Sequence, residues 1–318
     1  MTATAAANPR QRRPWGWAIV GGREIRDLWL GGRGLLLSLA FSVLLSVIAY
    51  LVAANQALNF LEQRESVSLT LQVAVAVGSL LALLAAADSV SGERERATLE
   101  SLLLTPVARL GITSGKLLGA LSLWLAAFAI TIPYVWFLGR GIGLVGEAIA
   151  TGLVIGTLLA VFLASLGMII SILASSNRVS LSLSLFILLA LFAPTQFPIS
   201  AQRGWGETLL RVNPITAGEH YLDRILVNED GWGDNLSWLV SPIVAAIVFV
   251  LAAGFVGARH AQRRRHPPTG ARRPGSNRTA CRRNAPRPSA PSGGITSATA
   301  HAPAVTVSPD APGTRLAV

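Results

Sequence analysis

The sequence predicts an all-α integral membrane protein with six transmembrane helices, and three observations predict it. The 318 residues are 52% hydrophobic and only 14% charged, against roughly 25% charged in soluble domains. Six apolar runs reach the roughly 20 residues that a helix needs to cross the hydrocarbon layer. None of the six alternates as a strand would, and only helices and closed barrels can span lipid, so the runs are helices. The mean hydropathy of +0.52 agrees.

Residues 1–33 form a cytoplasmic N-terminus. Its first 13 residues read as disordered, and the apolar run that follows is too long for a cleaved signal. Within "PWGWAIVGGREIRDLWLGGRG", Trp15, Ala18, Ile19, Ile25, Leu28 and Trp29 recur at helical spacing. Glu24 and Asp27 fall on another side. That pattern predicts an interfacial helix on the inner leaflet. The pairs Gly21-Gly22 and Gly31-Gly32 weaken its continuity.

The spans are placed at about 34–54, 69–87, 117–138, 148–174, 180–198 and 239–257, within one domain covering 34–258. Pro133 should kink the third, and Pro194 and Pro198 fall near the end of the fifth. Gly152 and Gly156, with Gly167 beyond them, permit close helix packing in the fourth. Gln72, Thr131 and the serines of the fifth span either line a path or bond between helices. Residues 259–318 are rich in Arg, Pro, Ser and Gly and predict a disordered, basic cytoplasmic tail. No aromatic residue interleaves with its arginines, so base stacking has no platform, and no specific nucleic-acid partner is expected. Attraction to anionic inner-leaflet lipid is the expected role of such a tail, if it has one.

Orientation follows from the cations. Of the 27 lysines and arginines, 22 fall on the side that carries both termini and five on the other. Leaving out the tail, the split is 11 against five. The positive-inside rule then gives a multi-pass protein of the cell membrane with both termini cytoplasmic. The connection 199–238, on the outer side, is acidic.

Several chemistries are excluded. The one cysteine, Cys281, permits no disulfide within the chain and no cysteine-based metal site. The four histidines lie outside the apolar runs and no HExxH pair occurs. No acidic residue sits near the centre of a span, where an ion-coupled carrier ordinarily keeps an ionisable group. An intramembrane enzyme has no paired catalytic residues to work with.

The most organised connection is "SGERERATLESLLLTPVARLGITSGK", residues 91–116. From Glu93, Leu99, Leu102, Leu103, Val107 and Leu110 share one helical face, with Glu93, Arg94, Glu95, Arg96 and Glu100 at the start and on the opposite side. Ser91 or Gly92 could cap that helix. Pro106 cannot continue it, and Thr105 with Pro106 starts another well. The expected element is therefore helix, a bend at Thr105-Pro106, and a second short helix through Arg109 to about Ser114. "GITSGK" is not a phosphate loop: three residues separate its glycines, Leu117 stands where Ser or Thr is required, and no strand precedes it.

This stretch resembles the cytoplasmic signature of ABC-2 type transporter permeases, in which a charged cluster leads into "TLE-LL-TP" and then "GK" at the next span. The matching residues are Glu93, Glu95, Thr98, Leu99, Glu100, Leu102, Leu103, Thr105, Pro106, Gly115 and Lys116. Six spans, an N-terminal interfacial helix and a larger outer connection before the last span also resemble the family, over 15–258. The resemblance implies the permease subunit of an ATP-driven exporter, not itself an enzyme. A cytoplasmic coupling helix between spans two and three would dock in a separate ABC ATP-binding subunit. The coupling residues it implies are Glu93, Arg94, Glu95, Arg96, Glu100, Thr105, Pro106 and Arg109. ATP and Mg would sit on the partner, with no cofactor on this chain, and a second permease subunit, identical or similar, would complete the pathway. The alternative is a non-transporting scaffold that docks an ATPase through 91–116.

In the outer connection, Asn213 caps and Pro214 opens a short helix. Ile215, Leu222, Ile225 and Leu226 line one side of it, and it also carries Tyr221. It is a candidate outer gate helix, or equally a lid.

Overall fold

The second, third and sixth apolar runs prove to be parts of longer helices. The computed structural model describes residues 16–54, 60–95, 109–196 and 205–263. Within them run α1 Gly16–Leu30, α2 Arg33–Ala54, α3 Phe60–Glu95, α4 Arg109–Gly139, α5 Val145–Leu173, α6 Asn177–Phe192, α7 Trp205–Val212, α8 Pro214–Leu226 and α9 Leu236–Arg263. No strand occurs among the described residues. Six of the helices are long and apolar enough to cross a membrane: α2, α3, α4, α5, α9, and α6 with its following turn. Residues 259–263 of the predicted tail continue the last helix instead; the rest of the tail and the extreme N-terminus lie outside the described residues, as do Arg96, Glu100, Thr105 and Pro106.

Several boundaries differ from the sequence reading. α3 passes Ser91 and Gly92 without a break and ends at Glu95. Ser91 caps nothing: its Oγ donates back to the carbonyl of Ala87 at 2.7 Å. No second short helix stops near Ser114, because α4 is continuous from Arg109 through Gly115 and Pro133. α6 ends at Phe192, and a 3-10 turn over Ala193–Gln196 takes up Pro194, which has no amide to continue the ladder. α7 was not foreseen.

The interior is built by α3, α4 and α5, with α3 packed most extensively on α5. Glycines set that approach. A side chain at Gly152 would strike Leu71 at 2.7 Å, and one at Gly167 would meet the Leu83 carbonyl at 2.5 Å. Gly156 and Gly78 together make room for the ring of Trp124, which is 1% exposed and donates from Nε1 to Thr157 Oγ1 at 3.1 Å. α2, α6 and α9 close the outside and leave apolar faces bare, with Leu36, Tyr50, Phe186 and Leu251 among the exposed side chains. Such a surface suits lipid or another subunit.

α1 is continuous across Gly21-Gly22, and the structure explains why. It lies along the start of α4, where Gly115 has its backbone against Val20 and Gly21, and Gly119 lies under Glu24. Further along, Trp29 Nε1 donates to Ser122 Oγ at 3.3 Å. Glu24 and Asp27 therefore do not share a wet side. Glu24 turns into the α4 contact, while Asp27 stays 65% exposed.

Candidate functional site

The site begins with Lys116, about two turns into α4. Its side chain is 2% exposed. An ammonium so enclosed must be paired and hydrogen-bonded, and here Nζ donates to Glu24 Oε1 of α1 at 2.8 Å, Glu93 Oε1 of α3 at 2.6 Å and the Ser89 carbonyl of α3 at 3.0 Å. All three ammonium protons are thus used, and one cation joins three helices. The two carboxylates are 23% and 24% exposed.

The end of α3 reaches the other way as well. Arg94 donates from Nη1 to the Ala174 carbonyl at 2.5 Å and from Nη2 to the Ile172 carbonyl at 3.2 Å. These carbonyls lie at the C-terminus of α5, where a cation suits the helix dipole. Glu95 Oε1 accepts the backbone N–H of Asn177, the first residue of α6, at 2.7 Å; an anion suits that terminus for the same reason. Asn177 is itself a junction. Its Nδ2 donates to Asp88 Oδ1 at 2.7 Å, and its Oδ1 accepts from Ser91 Oγ at 2.8 Å. Asp88 Oδ2 accepts from Arg33 Nη1 of α2 at 3.1 Å. Ser171 Oγ of α5 accepts the backbone N–H of Ser91 at 2.9 Å.

The charges at 93–95, read from the sequence as coupling residues, are therefore in use within the chain. They fasten the end of α3 to α4, α5 and α6. Arg109 opens α4, and the remaining coupling residues fall between the described segments. Sequence reasoning missed Glu24 and Asn177 as partners. One signal was there: Asp88, Ser91 and Glu95 are spaced by three and four, a polar helical face too ordered for a span's frayed end.

At the opposite end of the bundle, α8 is seated among α3, α5, α6 and α9. Asn213 Oδ1 accepts the N–H of Ile215 at 3.0 Å as a true cap, with Pro214 in the first turn. Its Nδ2 donates to the Leu191 carbonyl at 2.6 Å, which ties the helix to α6. Ile215, Leu222, Ile225 and Leu226 are buried. Tyr221 is 1% exposed, and its hydroxyl donates to the Trp232 carbonyl at 2.8 Å. Asp223 accepts from Ser68 of α3 at 3.4 Å, and Arg64 donates to the Leu226 carbonyl at 3.4 Å. Burial raises the Glu219 carboxyl to about 7. His220 is held below its ordinary value by burial and by Arg224, with Asp223 opposing. Of the residues offered for a path, Thr131 bonds back to the Ala127 carbonyl of its own helix, and Gln72 donates to Ser68 on its own helix.

One family model, described as "ABC-2 family transporter protein", matches residues 19–257. No curated protein matches the chain.

Proposed function

The chain belongs to the ABC-2 family of transporter proteins, as a membrane permease subunit of an ABC transporter, and from that premise we propose that it is the permease of an ATP-driven exporter that takes up work through residues 91–116. ATP and Mg are held and hydrolysed on a separate ATP-binding subunit. That subunit grips the segment between α3 and α4, where Arg96, Glu100, Thr105 and Pro106 stand with Arg109. Both termini and this segment face the cytoplasm of the cell membrane, a reading that the cation count supports. The exposed apolar residues of α1, Trp17, Ile19, Ile25 and Leu30, suit a helix lying in the inner leaflet. A second permease subunit, identical or similar, meets this one on its bare apolar faces and completes the pathway.

The observation that carries this reading is the Lys116 junction. Force applied between Glu95 and Arg109 reaches two helix ends that are fastened to each other and to α1 through one enclosed cation. Loose ends would absorb such a push locally. Fastened ends pass it along α3 and α4, which at 1.5 Å per residue are about 54 Å and 46 Å long. The far end of α3 holds α8 through Ser68 and Arg64 and is tied to the far end of α4 where Gln63 Nε2 donates to the Leu138 carbonyl at 2.8 Å, so a tilt there would lift the candidate gate.

The test is purification of the full chain with a co-expressed ATP-binding-cassette subunit. The wild-type chain should retain that subunit, and Glu100→Lys should release it or uncouple its hydrolysis. A wild-type chain that retains no ATPase overturns the transporter reading. Retention with no movement of the spans would leave the scaffold.

A further inference from the structure

A cleft of about 530 Å³ opens between α1, α2, α3 and α4 at the end that carries Lys116. Its size falls within the roughly 300–1,000 Å³ of small-ligand sites. Its wall has two distinct parts. One is apolar and includes Leu37, Leu84 and Ala120. The other carries ions of both signs: Arg23 paired with Asp27 at 3.5 Å, and Arg33 paired with Asp88 at 3.1 Å. Lys116 also borders the cleft, but its three protons are already taken.

We propose that this cleft seats the headgroup of a zwitterionic phospholipid from the adjoining leaflet, its phosphate on Arg33 and its ammonium on Asp27. Three features of the wall select that chemistry. The Asp88 contact engages Nη1 of Arg33, and a guanidinium has five N–H donors in a fork suited to phosphate. Asp27 is 65% exposed, and its ion pair among the described residues is the i,i+4 contact to Arg23, a solvent-screened pair of little strength; an ammonium can take its place. Glu24 and Glu93, each about a quarter exposed, also line the cleft beside the enclosed Lys116, so its carboxylates outnumber its cations by one and an anionic headgroup gains no net attraction there, while a headgroup with both charges sets its phosphate on Arg33 and its ammonium among the carboxylates. The apolar part identifies the ligand as a lipid rather than a soluble zwitterion. Leu37 lies on α2, whose neighbouring Leu36 and Leu39 are 69% and 64% exposed, so acyl chains leaving the cleft can continue along bare leucines.

The full chain, purified in mild detergent, is offered equal amounts of phosphatidylethanolamine, phosphatidylcholine and phosphatidylglycerol, and retained lipid is counted by native mass spectrometry. The two zwitterionic lipids should be retained at least fivefold over phosphatidylglycerol. Arg33→Gln and Asp27→Asn should each cut that retention severalfold, and Leu37→Trp, which fills the apolar wall without altering charge, should cut it too. Asp27 is exposed, so its variant keeps the fold if Arg33→Gln does not. Glycerophosphoethanolamine, the same headgroup without chains, should fail to compete at equal concentration. Equal retention of phosphatidylglycerol, full competition by the soluble headgroup, or unchanged retention in Asp27→Asn and Leu37→Trp would each overturn the proposal.

Discussion

Lys116 gives all three of its ammonium protons to α1 and α3, so a single side chain holds three helices together. The Gly-Lys dipeptide at the head of a span was legible as an anchor. Its partners were not, because Glu24 stands 92 residues away and nothing local says that α1 lies along α4. Glu219 makes the complementary case. It belongs to an outer connection legible as acidic, but its burial depends on α8 being seated in the bundle. The consequence is a pH dependence with a definite sign. The folded carboxyl titrates near 7 rather than at its ordinary 4.5. The seated helix therefore binds the extra proton, and this contribution is complete below pH 4.5 and lost as the pH rises through 7. His220 acts in the opposite sense: its value lies below 6.5, so its contribution is lost as pH falls below 6.5. Hydrogen exchange of the 214–226 amides, corrected for intrinsic rates, should quicken between pH 5 and pH 7, and Glu219→Gln should flatten that rise. An unchanged slope in Glu219→Gln would refute the assignment.

At the scale of elements, the six apolar runs told where helices cross, but the ends of the helices were hidden. α3 extends to Glu95 because Lys116, Asn177 and the last carbonyls of α5 take up its polar side chains. Those partners come from other helices, so no local rule stops or prolongs the helix correctly there. The glycines were legible as packing residues but not by partner. Trp124 is the clearest instance, since its ring occupies the space that a side chain at Gly156 would need. Gly156→Ala should destabilise the wild-type chain by about 1–3 kcal/mol through overpacking. In a Trp124→Ala background, where the ring is gone, the same substitution should cost almost nothing. The two changes share one space, so they cannot be additive. Thermal unfolding of the four proteins in one detergent measures this, and equal costs in both backgrounds would show that the contact does not govern the packing of α4 on α5.

For the whole molecule, one end of the bundle is a set of fastened helix ends and the other a seated helix, with α3 and α4 running between them. Residue patterns gave the membrane class and the six crossings. The connection between the ends comes from long-range pairs, which have no local signature. Removing one partner of a buried ion pair costs about 3–5 kcal/mol, so Lys116→Met should release α1 and the end of α3 from α4. Lys116→Arg, which keeps the charge, serves as the control. The decisive measurement uses the complex with its ATP-binding subunit, with Cys281→Ser and spin labels at Glu65→Cys and Arg140→Cys, two exposed positions at the far ends of the spans. The distance between the labels should change when ATP and vanadate are added. In Lys116→Met it should stay fixed although the ATPase remains bound, and Lys116→Arg should restore part of the change. The same ATP-driven change in Lys116→Met as in the parent, or no change in the parent, would contradict transmission through this junction.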